Sequence, residues 1–194
     1  MQDRAMTGPF KFEGYVIVSE DGMIADASGA MPPSMIVPAD QVFFEQGLDR
    51  ADIVVHGRHS QESQTRSAQR RRVIATHGVP SIEKGATPLS VRWNPDGASF
   101  EAAAAALGVT SGIAGIIGGT GIFGYFLPSY TAFHLSRVPD VRLPGGRPVF
   151  PGVPGRTPED ILQSYGLVPG PVRLLDADTG ASVVTWEPKR NRAL

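Results

Sequence analysis

Residues Ile113–Pro128 read IAGIIGGTGIFGYFLP. The first five, Ile113–Ile117, are apolar on both alternating faces, the pattern of a central parallel strand covered on both sides. Gly118-Gly119-Thr120-Gly121 follows, then a short apolar stretch that predicts a helix ending before Pro128. Strand, glycine bend and helix in that order are the unit from which open α/β sheets are built. Such a bend lets a backbone approach a diphosphate, and the start of the helix offers free N–H groups and the positive end of a dipole. The same residues also make a tight strand-to-helix turn that needs glycine for steric reasons alone. They come late in the chain, away from the first strand–turn–helix unit where the dinucleotide fingerprint stands.

Outward from this stretch the chain carries no charge from Ala102 to Phe133, 32 residues in all, long enough to cross a bilayer. The apolar character comes in three pieces, Ala102–Leu107, Ile113–Ile117 and Ile122–Leu127, separated by glycine, serine and threonine. A helix–strand–helix passage accounts for this better than a membrane span. Composition bounds the rest. The 194 residues predict a single domain over residues 1–194, and 41% apolar residues suffice for a core. A net charge of −1 gives no general reason to expect nucleic acid or an anionic membrane as a partner. With no cysteine there is neither disulfide nor thiolate chemistry. The opening MQDRAMTGPF lacks the charged-then-apolar signature of a secretory signal, so a cytoplasmic setting is expected.

Upstream, Phe12–Ser19 reads as a first strand ending at the turn Glu20-Asp21-Gly22. Ala27–Val37 is a loop with adjacent prolines, and Pro38 opens a helix to about Leu48. Ala51–His56 and Arg72–Thr76 are further strands, with a polar, helix-permissive segment from Ser60 to about Ala68 between them. A short strand is expected at Leu89–Trp93, and Ser99 caps a helix over Phe100–Leu107. Downstream, Thr131–Val138 is a strand and Thr157–Gln163 a short helix. Val172–Leu175 and Ser182–Trp186 form a closing antiparallel hairpin. The expected fold is α/β, with a mostly parallel central sheet and a C-terminal antiparallel hairpin.

In such sheets ligands bind beyond the carboxyl ends of strands. Those ends fall at Ser19–Asp21, His56–Arg58, Thr76–His77 and Gly118–Gly121. Gly57-Arg58-His59-Ser60 repeats the strand–glycine–helix arrangement. An arginine at a helix start works against the dipole, and its planar fork suits a phosphate monoester; a solvated arginine beside a capping serine reads equally well. Asp40 is an ordinary first-turn acid after Pro38. Its neighbours Ile36, Val37, Phe43 and Phe44 are apolar, however, and Phe44 shares its helix face. In an apolar cleft such a carboxyl handles a proton near neutral pH. Arg70-Arg71-Arg72 reads as a solvated strand entrance, with one arginine available for a substrate carboxylate or phosphate. His59, His77 and His134 lack metal-ligand spacing, so no metal is expected.

Taken in order, "VIVSEDGMIA", "VPADQVFF", "VVHGRHSQES", "RRRVIAT", "IIGGTGIFGYFLP" and "FHLSRV" resemble the dihydrofolate reductase-like superfamily, from Phe12 to about Pro151. The resemblance implies that family's three-layer fold and an NADPH-dependent reductase passing hydride to a pyrimidine- or pteridine-type heterocycle. It implies that Ala25 and the loop to Gly29 lie against the nicotinamide, and that Gly57, Arg58, His59 and Ser60 hold the pyrophosphate and 2′-phosphate. Thr76 and His77 would flank the adenosine end, and Gly118, Gly119, Thr120, Gly121 and Ile122 the diphosphate. Asp40 would bind the amino-pyrimidine edge and help deliver a proton, with Ser136 supporting it and Phe44 stacking on the substrate. Arg70 would stand where folate reductases grip the tail carboxylate. The chain departs from dihydrofolate reductases in Pro33 after Pro32, in Gln41 after the acid and in a longer spacing from Pro32 to Asp40. "LPGGRPVFPG" is closer to the riboflavin-biosynthesis reductase domain, although Ile117 replaces the acid that branch has before its diglycine. That branch is preferred, with dihydrofolate reductase and a non-catalytic nucleotide-binding protein as alternatives. A homodimer is implied by the same resemblance.

Overall fold

Short β-branched runs and helices opened by proline or serine alternate along the chain, and they fold as that alternation demands. The computed structural model describes residues 8–60 and 66–189. Its strands are β1 (Phe10–Val18), β2 (Met23–Ala25), β3 (Ile53–Gly57), β4 (Arg72–Ala75), β5 (Ile82–Lys84), β6 (Ser90–Trp93), β7 (Gly112–Ile116), β8 (Tyr130–Arg137), β9 (Arg147–Pro148), β10 (Leu167–Leu174) and β11 (Ser182–Pro188). The helices are α1 (Pro38–Arg50), α2 (Phe100–Ala105), α3 (Thr120–Tyr125) and α4 (Pro158–Ser164).

A nine-stranded sheet runs in the order β10-β11-β8-β1-β7-β3-β4-β6-β5. From β8 to β6 all neighbours are parallel. The sheet closes with antiparallel β5 on one side and the β10–β11 hairpin on the other. Alternation along each strand sorts the side chains into two layers. Phe10, Val18, Ile53, Val55, Ala114, Ile116, Phe133 and Leu135 face a large core under α2, α3 and α4. Tyr15 and Val54 face α1 through Leu48, with Phe43 and Phe44 packed alongside. Helix α1 lies close to the sheet because position 47 is glycine: a Cβ there would be 2.3 Å from Tyr15 Cε1. Pro38 starts α1 without a side-chain cap. Ser99 and Thr157 cap α2 and α4, accepting from the amides of Ala102 and Asp160.

The expected strands and helices are present within a few residues, with instructive differences. The β2–β9 ladder and β5 were not expected; elements of two or three residues carry no periodicity. β10 begins at Leu167 rather than Val172, running through Pro169 and Pro171 with a bulge that lets prolines sit on a sheet edge. Of the segment Ser60 to Ala68, residues 61–65 lie outside the described residues, and a 3-10 turn forms at Ser67–Gln69. The charge-free stretch breaks into α2, β7, α3 and the start of β8. Among the described residues no helix is long and apolar enough to cross a membrane.

Candidate functional site

β3 and β7 pair in parallel, Val55 opposite Ile116, so their carboxyl ends emerge side by side. The two bends that follow are bonded directly: Gly57 N–H donates to the Gly118 carbonyl at 2.7 Å. A Cβ on Gly118 or Gly119 would lie 3.7 or 3.8 Å from Ser60 Oγ. Gly118 has φ +115 and its peptide bond to Gly119 is cis; a side chain at that φ is strained. Arg58 N–H donates to Ala75 O at 3.1 Å, which ties the first bend to the end of β4. Arg58 and His59 are exposed, and Arg58 Nε donates to His59 Nε2 at 2.9 Å. Thr76 is buried and its Oγ1 accepts from Gly78 N–H at 3.0 Å. Exposed His77 has Nδ1 3.3 Å from Asp96 Oδ2. The Thr120 hydroxyl donates to the Pro148 carbonyl of β9, and buried Ile122 packs beside Gly57.

Two strands away from β7, at the end of β8, stands Ser136, 1% exposed. β1 lies between them, so the gap is about 10 Å by strand spacing. Asp40, in the first turn of α1, is 8% exposed and stands near Ser136, whose hydroxyl favours the ionised carboxyl. Burial pushes the Asp40 carboxyl above its ordinary value, and the Ser136 hydroxyl only partly opposes it. Among the described residues no cation forms an ion pair with Asp40. Phe44, half-buried one turn on, meets Tyr15 edge-on at 6.3 Å. From β1 the chain passes through β2, whose Ala25 is buried opposite Arg147 of β9. The loop beyond is held by Asp26, whose Oδ1 accepts from Ser28 N–H at 2.8 Å and Ala30 N–H at 3.1 Å.

No family model and no curated protein matches the chain by sequence. Solved structures do match it by shape. A protein ascribed to riboflavin biosynthesis from Shewanella sp. PV-4 superposes with TM-score 0.59 at 17% identity, over 93% of this chain and 99% of that one. The diaminohydroxyphosphoribosylaminopyrimidine deaminase/5-amino-6-(5-phosphoribosylamino)uracil reductase of Thermotoga maritima gives TM-score 0.62 at 16% identity, over 93% of this chain and 57% of that one. Dihydrofolate reductase from Enterococcus faecalis, complexed with NADP(H) and RAB-propyl, gives 0.57 at 17% identity, over 93% and 97%. The chain has the dihydrofolate reductase-like fold.

Within this dihydrofolate reductase-like frame the expected residues other than Ala25 fall into three groups. Gly57 to Ser60 and Gly118 to Ile122 come together, with Thr76 and His77 at the end of the neighbouring strand. Asp40, Phe44 and Ser136 come together between α1 and β8. Arg70 stands apart: its Nη2 lies 2.9 Å from Asp49 Oδ1, in the last turns of α1, while Asp40 is in the first. Sequence reading also passed over a part-buried network beside Phe44. The Tyr15 hydroxyl donates to Glu13 Oε2 at 2.5 Å, the Tyr15 and His134 rings stack at 4.5 Å, and Arg50 Nη2 donates to the Tyr15 hydroxyl at 3.2 Å. His134, its Nε2 3.9 Å from Glu13 Oε2, does most to hold the Glu13 carboxyl below its usual range, against the effect of burial. Burial, then the Glu13 bond, drives the Tyr15 hydroxyl up. Strand alternation places Glu13 and Tyr15 on one face, so that half of the network was legible; the pairing with β8 was not. Among the described residues no group of three or more His, Asp and Glu side chains is arranged to hold a metal.

Proposed function

We propose that the chain is an NADPH-dependent reductase acting on a pyrimidine- or pteridine-type heterocycle, with a riboflavin-biosynthesis-type ribosylaminopyrimidine preferred as acceptor. The observation that carries this reading is the joining of two glycine bends at the carboxyl ends of β3 and β7, with the buried Asp40 carboxyl, which has no cationic partner among the described residues, beside Ser136 two strands from β7. The residues present fit a dinucleotide: the bends offer main-chain N–H groups and little side-chain bulk, and exposed Arg58 and His59 supply donors for an extra phosphate. NADPH, when bound, supplies the hydride. The chain's residues do the rest. Gly57–Ser60 and Gly118–Ile122 hold the diphosphate, and Arg58, Thr76 and His77 select the phosphorylated adenosine end. Ala25 and the loop to Gly29 exclude water. Phe44 stacks on the acceptor, and Asp40, steadied by Ser136, binds its amino edge and passes a proton.

The test is NADPH consumption by purified protein with ribosylaminopyrimidine and dihydropteridine acceptors, compared with NADH. Turnover with NADPH preferred is expected; NADPH binding without turnover on any acceptor would favour a non-catalytic nucleotide-binding role instead. Dihydrofolate is the second acceptor to try, since Asp40 and Phe44 share one helix face as that reading needs. The same proposal includes a cytoplasmic homodimer. Its support is the outermost strand β10, where Val172 and Leu174 are 70% and 60% exposed, and sedimentation velocity tests it.

A further inference from the structure

Where β1 ends, two successive main-chain carbonyls turn toward one cation. Arg137 is the last residue of β8. Its Nη1 donates to Ser19 O at 3.0 Å and to Glu20 O at 2.8 Å, and its Nη2 donates to Glu159 Oε1. Glu159 stands in the first turn of α4, where a carboxylate also suits the helix dipole. The guanidinium is thus engaged within the protein, with 26% of its side chain exposed. The carbonyls it holds belong to the turn from which β2 departs. In that turn Ser19 N–H donates to Met23 O at 2.9 Å, and Ser19 Oγ accepts from Met23 N–H at 2.9 Å. Ser19 is wholly buried. Leu143 N–H donates to Asp21 Oδ1 at 3.1 Å and Arg142 Nη2 to Glu20 Oε1 at 2.9 Å. Those two contacts come from the irregular segment beyond β8; Arg137 reaches the turn from the sheet itself.

Strand alternation puts Ser136 and Arg137 on opposite faces of β8. Ser136 stands near Asp40 under α1, and Arg137 turns to the side of α4. One strand end therefore carries both the neighbour of the buried acid and the clamp on the turn. From that turn β2 runs three residues to Ala25, about 10 Å at the rise of a strand. Over that lever a tilt of about 6° moves Ala25 by about 1 Å. A misplacement of about 1 Å can cost on the order of a hundredfold in rate. An ion pair as exposed as Arg137–Glu159 adds little stability by itself, whereas a carbonyl that loses a charged donor loses a strong bond. We propose that Arg137 is a positioning residue: through the Ser19 and Glu20 carbonyls it fixes the base of the loop that follows Ala25 against the strand that carries Ser136. The separation of that loop from the acid is then set by the sheet. This rests on the reductase reading for what the loop covers.

The experiment compares Arg137→Met, which removes the donors and keeps a long side chain, with Glu159→Gln, which removes the ion pair and leaves the two carbonyl bonds. Two readouts are taken on the whole chain. One is hydrogen–deuterium exchange of residues 19–25, with β7 as internal reference. The other is steady-state kinetics with NADPH and the ribosylaminopyrimidine and dihydropteridine acceptors. In Arg137→Met residues 19–25 are expected to exchange at least about tenfold faster than in wild type, with β7 unchanged. Its kcat is expected to fall at least about tenfold, with KM for NADPH within about threefold. Glu159→Gln is expected to stay within about threefold of wild type in both readouts, the effect of an exposed ion pair. Unchanged exchange in Arg137→Met, equal changes in the two variants, or a loss that appears in KM rather than kcat overturns the positioning role. So does faster exchange with kcat unchanged in an active wild type. Should Arg137→Met not fold, Arg137→Lys is read in its place by the same two measures: it keeps the charge facing Glu159 and replaces the planar guanidinium with a compact ammonium. Failure of both to fold makes Arg137 a folding residue and likewise overturns the proposal. Failure of the reductase reading shows as a wild type without turnover, and the exchange comparison then decides alone. Faster exchange of residues 19–25 in Arg137→Met and not in Glu159→Gln upholds the clamp, and equal exchange overturns it.

Discussion

Gly57→Ala separates what the joined bends do for folding from what they do for binding. A Cβ on Gly57 would meet Gly119 N at 3.5 Å, Gly118 O at 3.8 Å and Ile122 Cγ1 at 3.9 Å, all ordinary contacts. The backbone there is not in the left-handed region. The methyl group should therefore leave the fold intact, and the stiffer unfolded chain adds stability of about 0.4–1 kcal/mol. The thermal midpoint is expected to stay within about 4 °C of wild type. That same methyl group occupies the gap between the bends. If a diphosphate approaches the main chain there, NADPH affinity falls by at least about tenfold, or about 1.4 kcal/mol. Gly118→Ala is the contrast: at φ +115, with its Cβ 3.1 Å from Phe123 Cε2, it should lose about 1–3 kcal/mol of stability before binding is considered. Fluorescence titration with NADPH and a melting curve on each variant are enough. A Gly57→Ala protein that binds NADPH like wild type refutes the placement of the ligand between the bends.

Arg58→Ala should weaken NADPH by about 1.5–3 kcal/mol, the range for hydrogen bonds to charged groups, and leave NADH nearly unchanged; equal losses for both nucleotides would remove Arg58 from the 2′-phosphate. Asp40→Asn should bind NADPH normally and lose turnover. Because burial raises the Asp40 carboxyl above its ordinary value of about 3.9, the stability tied to its proton is complete below that value and lost as pH rises through the folded one. The asparagine variant should therefore melt higher than wild type near pH 7, and the difference should vanish as the pH is lowered to about 4. A constant difference across that range would contradict the burial effect. Gly47→Ala, which drives a methyl group into Tyr15, should destabilise by about 1–3 kcal/mol in chemical denaturation, with NADPH affinity preserved.

The parallel core was legible because each of its strands is a short apolar run bounded by turn residues. Ile53–His56 is buried throughout, as its sequence suggests. The helix starts at Pro38 and Ser99 were legible because capping chemistry is local. What sequence could not show was long range. The bond from Gly57 to Gly118 joins two bends far apart in sequence, and only sheet order brings them together. Asp40 carried the signal of an ordinary first-turn acid; its burial against Ser136 depends on where β8 lies. Arg70 was read for its charge, and nothing local announced that Asp49 would meet it. Strands β2 and β9 are too short for periodicity to reveal.

The hydroxyl of Thr120 has a mechanical consequence. It fastens the glycine bend to Pro148, and Pro148 pairs with Met23 at the root of the loop that follows Ala25. The bend and that loop thus hang from one peg. A displacement of the bend is therefore passed on to the root of that loop.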